Sequence, residues 1–222
     1  MGRCKHEAGL EMTENSWMFP IGTSTLDLNG VRVVSGVLDR TAQEGLTAEL
    51  RALLKTAPLH QPVMPNGKPM SVRMTAAGRF GWISDQKGYR YTQRHPNGSA
   101  WPPIPKRVMD LWRLLVPGAR DPECCLINYY APDARMGLHQ DRDEADFTQP
   151  VLSISLGDDG LFRVGGLGRK GSTRSVWLKS GDIAVLEGDA RLAFHGIDRI
   201  KPSTSTLLDR PGRINLTLRV VT

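Results

Sequence analysis

Residues 213 to 221 read RINLTLRVV, a stretch that alternates strictly between polar and apolar side chains as far as Val220. Successive side chains of a β-strand point to opposite faces, so the stretch predicts a strand with one polar and one apolar face. The polar face carries Arg213, Asn215, Thr217 and Arg219. Two interpretations are open: the polar row faces solvent on the outside of a β-sandwich, or it lines an anion site inside the fold.

Short strand-like runs of the same kind fill the chain from Cys124 onward. The runs are CCLINYYA (124–131), VLSISLG (151–157), LFRVGG (161–166), TRSVWLK (173–179), DIAVLEG (182–188) and LAFHGID (192–198). Turn-forming residues separate these runs, and seven or eight such strands are typical of a sandwich or jelly roll. The sequence therefore predicts a mainly β fold with flanking helices.

The N-terminal half predicts one hairpin and two helices. Residues 26–38 read LDLNGVRVVSGVL, in which Asn29-Gly30 marks a two-residue hairpin turn. Apolar residues recur at helical spacing in residues 39–58 and again in residues 104–118. Each of these stretches predicts an amphipathic helix that braces a sheet.

Residues 62–103 hold short strand candidates among Gly, Pro and aromatic residues. We interpret this region as an elaborated surface or lid rather than as core. The change to regular β runs falls near residue 120. The predicted organisation is a flexible tail (1–20), N-terminal helices with the lid (21–120) and a β core (121–222).

The composition is that of an ordinary globular protein, with 222 residues of which 40% are hydrophobic and 23% are charged. A net charge of +6 suggests a polyanionic partner such as nucleic acid, and a merely basic surface is the alternative. Three cysteines give no disulfide framework, which favours a reducing cytoplasm. No secretory or membrane-spanning run occurs, so we expect a soluble cytoplasmic monomer with no membrane partner.

The stretch LHQD places His139 two residues before Asp141, so an extended backbone presents both side chains on one face. A lone His-x-Asp pair is a weak signal, and a third ligand is required. His195, within LAFHGID, is the best candidate, although a histidine in such surroundings is often only packed in a core. Two histidines and one carboxylate form the facial triad of Fe(II) oxygenases, and zinc with one open position is the competing interpretation.

Arg213 and Arg219 suit an anion that carries two carboxylates. They lie roughly 20 Å apart along a strand by the usual rise per residue, so long side chains must lean toward each other to bind one small dianion. A dicarboxylate meets that demand better than a monoanion does.

In their order along the chain, H-x-D, the distant histidine and R-x-N-x-T-x-R resemble the AlkB family of Fe(II)- and 2-oxoglutarate-dependent dioxygenases. The stretches MSVRMT and GWISDQKGY resemble the nucleotide-recognition lid of that family and place the chain nearest to the bacterial DNA-repair branch. The resemblance implies a double-stranded β-helix core, or jelly roll, with the lid on its N-terminal side. It implies iron at His139, Asp141 and His195. It also implies 2-oxoglutarate at Asn128, Tyr130, Arg213, Asn215 and Arg219.

The resemblance further implies oxidative demethylation of 1-methyladenine and 3-methylcytosine in DNA, single strands preferred. The reaction consumes O2 and 2-oxoglutarate, releases formaldehyde, succinate and CO2, and uses ascorbate as a reductant in vitro. Asp143 is implied to lie beside the base, Trp82 to stack on it, and Tyr89 and Arg169 to contact the nucleotide. These lesions are cationic, so a carboxylate and an aromatic ring favour them over normal bases.

Four basic lid residues are candidates for phosphate contacts: Lys68, Arg73, Lys87 and Arg90. Solubility of the surface accounts equally well for any one of them. Glu144 and Asp146 receive no role beyond solvated loop charge. Three alternative functions are an RNA or tRNA demethylase of the same fold, a non-catalytic nucleic-acid-binding module, and a zinc hydrolase on a cupin-like roll.

Overall fold

Thirteen strands and two α-helices build the part of the chain that the computed structural model describes, residues 23–222. The strands are β1 (Ser24–Leu28), β2 (Val31–Ser35), β3 (Arg73–Gly78), β4 (Gly81–Asp85), β5 (Gly88–Thr92), β6 (Cys124–Tyr130), β7 (Met136–His139), β8 (Val151–Gly157), β9 (Asp159–Val164), β10 (Arg174–Leu178), β11 (Ile183–Leu186), β12 (His195–Lys201) and β13 (Arg213–Arg219). The helices are α1 (Arg40–Leu53) and α2 (Lys106–Leu115), and a 3-10 turn spans Gly188–Ala190.

Antiparallel pairing joins these strands into two main sheets. The major sheet has the order β1-β2-β11-β8-β13-β6-β3, and the minor sheet has the order β10-β9-β12-β7. Strands β4 and β5 pair only with each other. Strands that are distant in sequence alternate within each sheet, and the two sheets pack as a jelly roll. The predicted mainly β fold with flanking helices is confirmed.

Strands from both predicted halves of the chain lie in the major sheet. β1, β2 and β3 precede residue 120, and β6, β8, β11 and β13 follow it. The predicted division near residue 120 therefore runs through one sheet, and as a domain boundary it stays a prediction. The tail predicted for residues 1–20 lies outside the described residues.

The hairpin between β1 and β2 turns where its sequence predicts. Asn29 has φ 55° and Gly30 has φ 84°, which is the left-handed pair that a tight two-residue turn requires. Leu28 and Val31 face each other across the turn. A Cβ atom on Gly30 would also come within 3.0 Å of the Ala190 side chain.

We expect Gly30→Val to destabilise the protein by about 2 kcal/mol, because a β-branched residue resists positive φ and this one would also press on Ala190. Urea unfolding of the two proteins measures the difference. Gly166→Ala is the matched control, since a Cβ atom there meets nothing within 4 Å. Equal midpoints for wild type and Gly30→Val would contradict the assignment of strain to this turn.

Both predicted helices form, and each buries the predicted face. The side chain of Asp39 caps α1 by accepting a hydrogen bond from the Ala42 N–H at 2.8 Å. Leu50 of α1 lines a groove together with Ile127 and Ile214 of the major sheet. The buried residues of α2 are Val108, Leu111, Trp112 and Leu115.

The region predicted to be a surface lid is only partly one. β3 forms the edge of the major sheet and pairs with β6 over residues 73–78. Met74, Ala76 and Ala77 are buried there. For this segment the expectation of an elaborated surface is wrong, because its apolar side chains complete the core. The β4-β5 hairpin, residues 81–92, stands outside the main sheets and is called the lid hairpin below.

β13 lies between β8 and β6 and is buried on both faces. Its polar row points into the fold: Arg213 is 0% exposed and Arg219 is 6% exposed. Leu216 and Leu218 on the opposite face are also fully buried. The interpretation as an internal anion site is therefore the one that agrees with the structure, and the solvent-facing alternative is wrong.

Cys124 and Cys125 are neighbours on β6, and both are buried free thiols. Burial raises the pKa of the Cys124 thiol to about 12 and also raises that of the Cys125 thiol far above its usual range, so neither is ionised near neutral pH. Neither α1 nor α2 is long and apolar enough to serve as a bilayer span, and residues 23–222 contain no other helix that is.

Candidate active site

Two histidines meet where adjacent strands of the minor sheet pair. His139 is the last residue of β7, His195 is the first of β12, and the two are direct Cα partners. Their ring centroids lie 4.6 Å apart. Asp141 lies two residues beyond the end of β7, so the loop rather than the strand brings its carboxylate to the histidines. Each histidine Nε2 lies 3.7 Å from an Asp141 carboxylate oxygen.

The backbone fixes the tautomer of both histidines. Nδ1 of His139 lies 2.9 Å from the Gly137 carbonyl oxygen, and Nδ1 of His195 lies 3.0 Å from that of Ala193. A carbonyl oxygen only accepts hydrogen bonds, so each Nδ1 carries the proton and donates it. Each Nε2 therefore offers its lone pair toward Asp141, as metal-binding histidines do.

Asp141 is buried and ionised. Its Oδ1 accepts a hydrogen bond from Nη2 of Arg219 at 2.7 Å, while its Oδ2 has no hydrogen-bond partner among the described residues. Burial opposes ionisation, but the charge of Arg219, joined at low pH by those of the two histidines once they are protonated, holds the pKa of the Asp141 carboxyl well below its usual range. Burial and the charge of His139 lower the pKa of His195 to about 4.

These features fit a divalent metal ion. The ligand atoms of His139, Asp141 and His195 all lie within 4.8 Å of one another. Two neutral imidazole nitrogens and one carboxylate oxygen without a partner form the donor set that Fe(II) oxygenases use, with the remaining positions open. The three residues predicted as ligands are thus brought together.

A cavity of about 680 Å³ opens beside this cluster, between the two sheets. The polar residues predicted for the cosubstrate approach it from the major sheet. Asn128, Tyr130, Asn215 and Arg219 line the cavity. Asn128 and Asn215 face each other across β6 and β13, and Oδ1 of Asn128 is buried without a hydrogen-bond partner. Asn215 is held by Thr217 and Ser153.

Arg213 lies deeper than these residues and is not among those that line the cavity. Its guanidinium donates to Ser155 Oγ at 2.6 Å and to the carbonyl oxygens of Leu178 and Asp158, while its Nε has no hydrogen-bond partner in the described part of the chain. No carboxylate of residues 23–222 forms an ion pair with Arg213. Burial lowers the pKa of this guanidinium to about 10. A buried, unpaired cation is costly, so the site suits an anion that enters from outside.

Arg213 and Arg219 are held by different partners. Arg219 is turned toward Asp141, and Arg213 is turned toward Ser155. The expectation that both side chains bind one small dianion stays a prediction.

The four residues predicted to contact substrate all line the same cavity: Trp82, Tyr89, Asp143 and Arg169. The Trp82 indole N–H donates to Oδ2 of Asp143 at 2.8 Å. Tyr89 stacks on Trp82 with ring centroids 5.4 Å apart and an interplanar angle of 17°. Tyr89 is half exposed. Tyr89 thus covers one face of the Trp82 indole within the cavity.

Among the basic lid residues, Arg90 differs from the expectation. Its guanidinium forms two hydrogen bonds with the carboxylate of Asp85, at 2.8 and 2.6 Å. A cation already paired in this way is a weak candidate for a phosphate contact. Lys68, Arg73 and Lys87 are exposed, and they remain candidates.

Three charged or polar residues beside the site were not predicted from the sequence: Glu144, Arg191 and Tyr91. Glu144 was expected to be solvated, yet its side chain is 1% exposed and ion-pairs with Arg191 at 3.1 Å. It also accepts a hydrogen bond from Tyr91 O–H at 2.5 Å. No motif in the sequence points to Arg191. Glu144, in contrast, is the third acid within HQDRDE, and this cluster of acids could have indicated a role for it.

Asp146 is half-buried rather than freely solvated. It accepts hydrogen bonds from the N–H and the hydroxyl of Thr148, and it pairs with Arg120 at 3.3 Å. The Thr148 hydrogen bonds and the nearby Arg120 lower the pKa of the Asp146 carboxyl. Its role is to shape its own loop, because it does not line the cavity.

Comparison with known proteins identifies this arrangement. The model of the 2OG-Fe(II) oxygenase superfamily matches residues 30–219. The chain belongs to this superfamily. The oxygenase match extends over both sheets and includes all three clustered ligands. The match decides between Fe(II) and zinc in favour of Fe(II), because Fe(II) and 2-oxoglutarate are the cofactor and cosubstrate of this superfamily.

Relatives place the oxygenase in the AlkB group. The alpha-ketoglutarate-dependent dioxygenase AlkB homolog of Caulobacter vibrioides is 54% identical over 191 residues, which are 86% of this chain and 87% of the relative. The alpha-ketoglutarate-dependent dioxygenase AlkB of Escherichia coli is 38% identical over 184 residues, 80% of this chain and 84% of the relative. The solved structure of OsALKBH1 matches 89% of this chain and 99% of its own with TM-score 0.73 and 29% identity. The predicted family, enzyme class, Fe(II) and 2-oxoglutarate are confirmed. These matches do not support the two alternatives of a zinc hydrolase and a non-catalytic binding module.

Proposed function

We propose that this dioxygenase removes alkyl groups from cationic N-alkylated bases in DNA, with 1-methyladenine and 3-methylcytosine as its substrates. One observation carries the proposal: the cavity beside the His139, Asp141 and His195 cluster is lined by the Trp82–Asp143 pair. Two of its relatives are named AlkB, which supports the same function.

In this proposal His139, Asp141 and His195 hold iron from one side. When bound, Fe(II) supplies the oxidation of the alkyl carbon by O2 and 2-oxoglutarate, with formaldehyde, succinate and CO2 as products. The Gly137 and Ala193 carbonyls keep both imidazoles in the tautomer that exposes Nε2. Arg219 holds one Asp141 oxygen and leaves the other free for the metal.

Arg213 is proposed to bind the distal carboxylate of 2-oxoglutarate, because it is a fully buried cation that has no ion-pair partner within residues 23–222. Tyr130 is its Cα partner across β6 and β13, and burial raises the pKa of the Tyr130 hydroxyl to about 12. This hydroxyl therefore stays protonated and can donate to the same carboxylate. Asn128 and Asn215 line the same cavity and would offer amide groups to the cosubstrate, and Arg219, which is bound to Asp141, would contact it close to the metal ligands.

Selection of the damaged base is proposed to depend on charge and stacking. A cationic base stacks favourably on Trp82, and the carboxylate of Asp143 stabilises its charge. Tyr89 and Arg169 lie at the mouth of the same cavity and are proposed to contact the nucleotide. The alkylated edge of the base is hidden inside a duplex, so the substrate is a single strand or a flipped nucleotide.

The proposal includes a cytoplasmic, monomeric enzyme. Two buried free cysteines, Cys124 and Cys125, suit a reducing compartment. The positive net charge of +6 suits a nucleic acid partner.

Formaldehyde and succinate release test the proposal directly. Purified protein with Fe(II), ascorbate and 2-oxoglutarate is incubated with a single-stranded DNA oligonucleotide that contains 1-methyladenine or 3-methylcytosine. We expect release of both products above that with the unmethylated oligonucleotide. The RNA oligonucleotide of identical sequence separates the RNA alternative, since faster turnover of RNA would replace DNA as the substrate. Absence of release with every oligonucleotide would reject demethylation.

Asp143→Asn is expected to reduce the preference for cationic lesions. Removal of one nearby charge should slow turnover of 1-methyladenine relative to the neutral ethenoadenine by about ten-fold, the ratio that about 1.4 kcal/mol produces. The ratio of kcat/KM values for the two lesions measures this change. Asp133→Asn, an exposed acid outside the cavity, is the matched control. Equal losses on both lesions would exclude electrostatic selection by Asp143.

A further inference from the structure

We propose that Glu144 is a positioning residue that fastens the lid hairpin to the iron site. The roles of Asp141 and Arg219 rest on the proposed function, but the contacts of Glu144 do not. The inference concerns how the lid stays seated while Asp143 engages a base.

Glu144 is the centre of a buried polar cluster. Its Oε1 accepts the Tyr91 hydroxyl, and its Oε2 accepts Nη2 of Arg191 at 3.1 Å. Nε of Arg219 lies 3.5 Å from Oε1, within ion-pair distance. Arg219 also donates to the Tyr91 hydroxyl at 3.3 Å and to Asp141. One carboxylate thus joins lid strand β5, strand β13 and the residue that follows the 3-10 turn.

Four ionisable side chains of this cluster are buried together. The side chains of Glu144, Arg191, Arg219 and Asp141 are 1%, 3%, 7% and 5% exposed. Two positive and two negative groups share this space. Buried ions are tolerated when they are paired and hydrogen-bonded. Without the Glu144 charge, Arg219 would have Asp141 as its sole anionic partner and would be free to shift from it.

Two neighbouring acids bind the lid hairpin from the same loop. Trp82 of β4 and Tyr91 of β5 are direct Cα partners, so their side chains lie on one face of the hairpin. Trp82 donates to Asp143, and Tyr91 donates to Glu144. Among the described strands, those of the hairpin pair only with each other, and an isolated hairpin is marginally stable. These side-chain bonds therefore help to seat it on the core.

The two bonds differ in exposure. Asp143 is exposed and faces the cavity, so an entering base can compete with Trp82 for it. Burial and the nearby Glu144 charge raise the pKa of Tyr91 far above its usual range, so its hydroxyl remains a donor. Because the Glu144 side chain is 1% exposed, an entering base or water competes less for the Tyr91–Glu144 bond than for the Asp143–Trp82 bond. Glu144 thereby holds both the lid hairpin and the Arg219 side chain in place while a base binds.

Hydrogen exchange of the full chain, measured by mass spectrometry with and without Fe(II) and 2-oxoglutarate, tests this role. In Tyr91→Phe, amide exchange in Gly88–Thr92 should accelerate about ten-fold, as expected for loss of one hydrogen bond to a charged group. Glu144→Gln should accelerate the same segment and also raise the KM for 2-oxoglutarate about ten-fold, with a smaller change in kcat. In the double variant the acceleration of exchange in Gly88–Thr92 should be smaller than the product of the two single effects, because both changes weaken the same Tyr91–Glu144 hydrogen bond.

Two matched variants serve as controls. Tyr129→Phe removes a hydroxyl from β6 outside the cavity, and Glu187→Gln removes a half-exposed carboxylate that pairs with Arg32. Neither should change exchange in the lid hairpin. Unchanged exchange in Gly88–Thr92 in both test variants would overturn the proposal, as would equal acceleration in the hairpin and in β13. Tyr91→Phe alone decides the lid contact if Glu144→Gln does not fold. The exchange measurement needs no substrate, so failure of demethylation leaves it interpretable.

Discussion

Asp141→Asn is expected to lose metal binding and to reduce formaldehyde release by more than about 100-fold, since loss of even an outer partner of a metal ligand costs 10–100-fold. The amide keeps the shape of the side chain but removes the charge that attracts a divalent cation. Titration calorimetry with Mn(II) as a probe measures binding, and formaldehyde release measures activity. We expect Mn(II) binding and formaldehyde release to be lost together.

The matched control for that variant is Asp146→Asn. Asp146 lies in the same loop, five residues away, but accepts its hydrogen bonds from Thr148 and does not line the cavity. We expect normal Mn(II) binding from this control. Retained Mn(II) affinity in Asp141→Asn would remove Asp141 from the metal site and with it the whole proposed ligand set.

Arg213→Met is expected to weaken 2-oxoglutarate binding by about 30-fold or more, because truncating one partner of a buried charge pair costs at least about 2 kcal/mol. The same change should leave the cofactor-free protein as stable as wild type or make it more stable, since replacing a buried ion by an apolar residue is often neutral or stabilising. Calorimetric titration gives the first quantity, and thermal unfolding without cosubstrate gives the second.

Two further variants sharpen that comparison. Arg213→Lys keeps the charge and should restore part of the affinity, whereas it cannot reproduce the guanidinium contacts with Ser155 and Leu178. Arg163→Met, on the exposed side of the minor sheet and paired with Asp198, should bind 2-oxoglutarate normally. Unaltered affinity in Arg213→Met would place the distal carboxylate elsewhere.

Much of the fold could be predicted from local patterns. The Asn29-Gly30 turn, the two helices and strand β13 form as predicted, because each depends on contacts among neighbours in sequence. β3 could not be assigned to the core in this way. Its place at the edge of the major sheet depends on pairing with β6, about 50 residues later in the chain.

The site was predicted unevenly for the same reason. The proposed ligands have a recognisable spacing. Glu144 and Arg191 are 47 residues apart, and their importance becomes apparent only from the buried ion pair that they form. An acid in a polar stretch is most often solvated, and only the burial of Glu144 against Tyr91 and Arg219 overrides that expectation.

By itself the sequence determined that RINLTLRVV is a strand with a polar and an apolar face, because alternation follows from backbone geometry alone. It also determined which residue types were available for iron and a dicarboxylate. Only the tertiary structure decided that the polar face points inward, that Asp141 joins the histidines from a loop, and that Arg213 is buried with no carboxylate of residues 23–222 as its ion-pair partner. Burial and pairing are properties of distant segments brought together, so they follow from how the two sheets pack rather than from any single stretch.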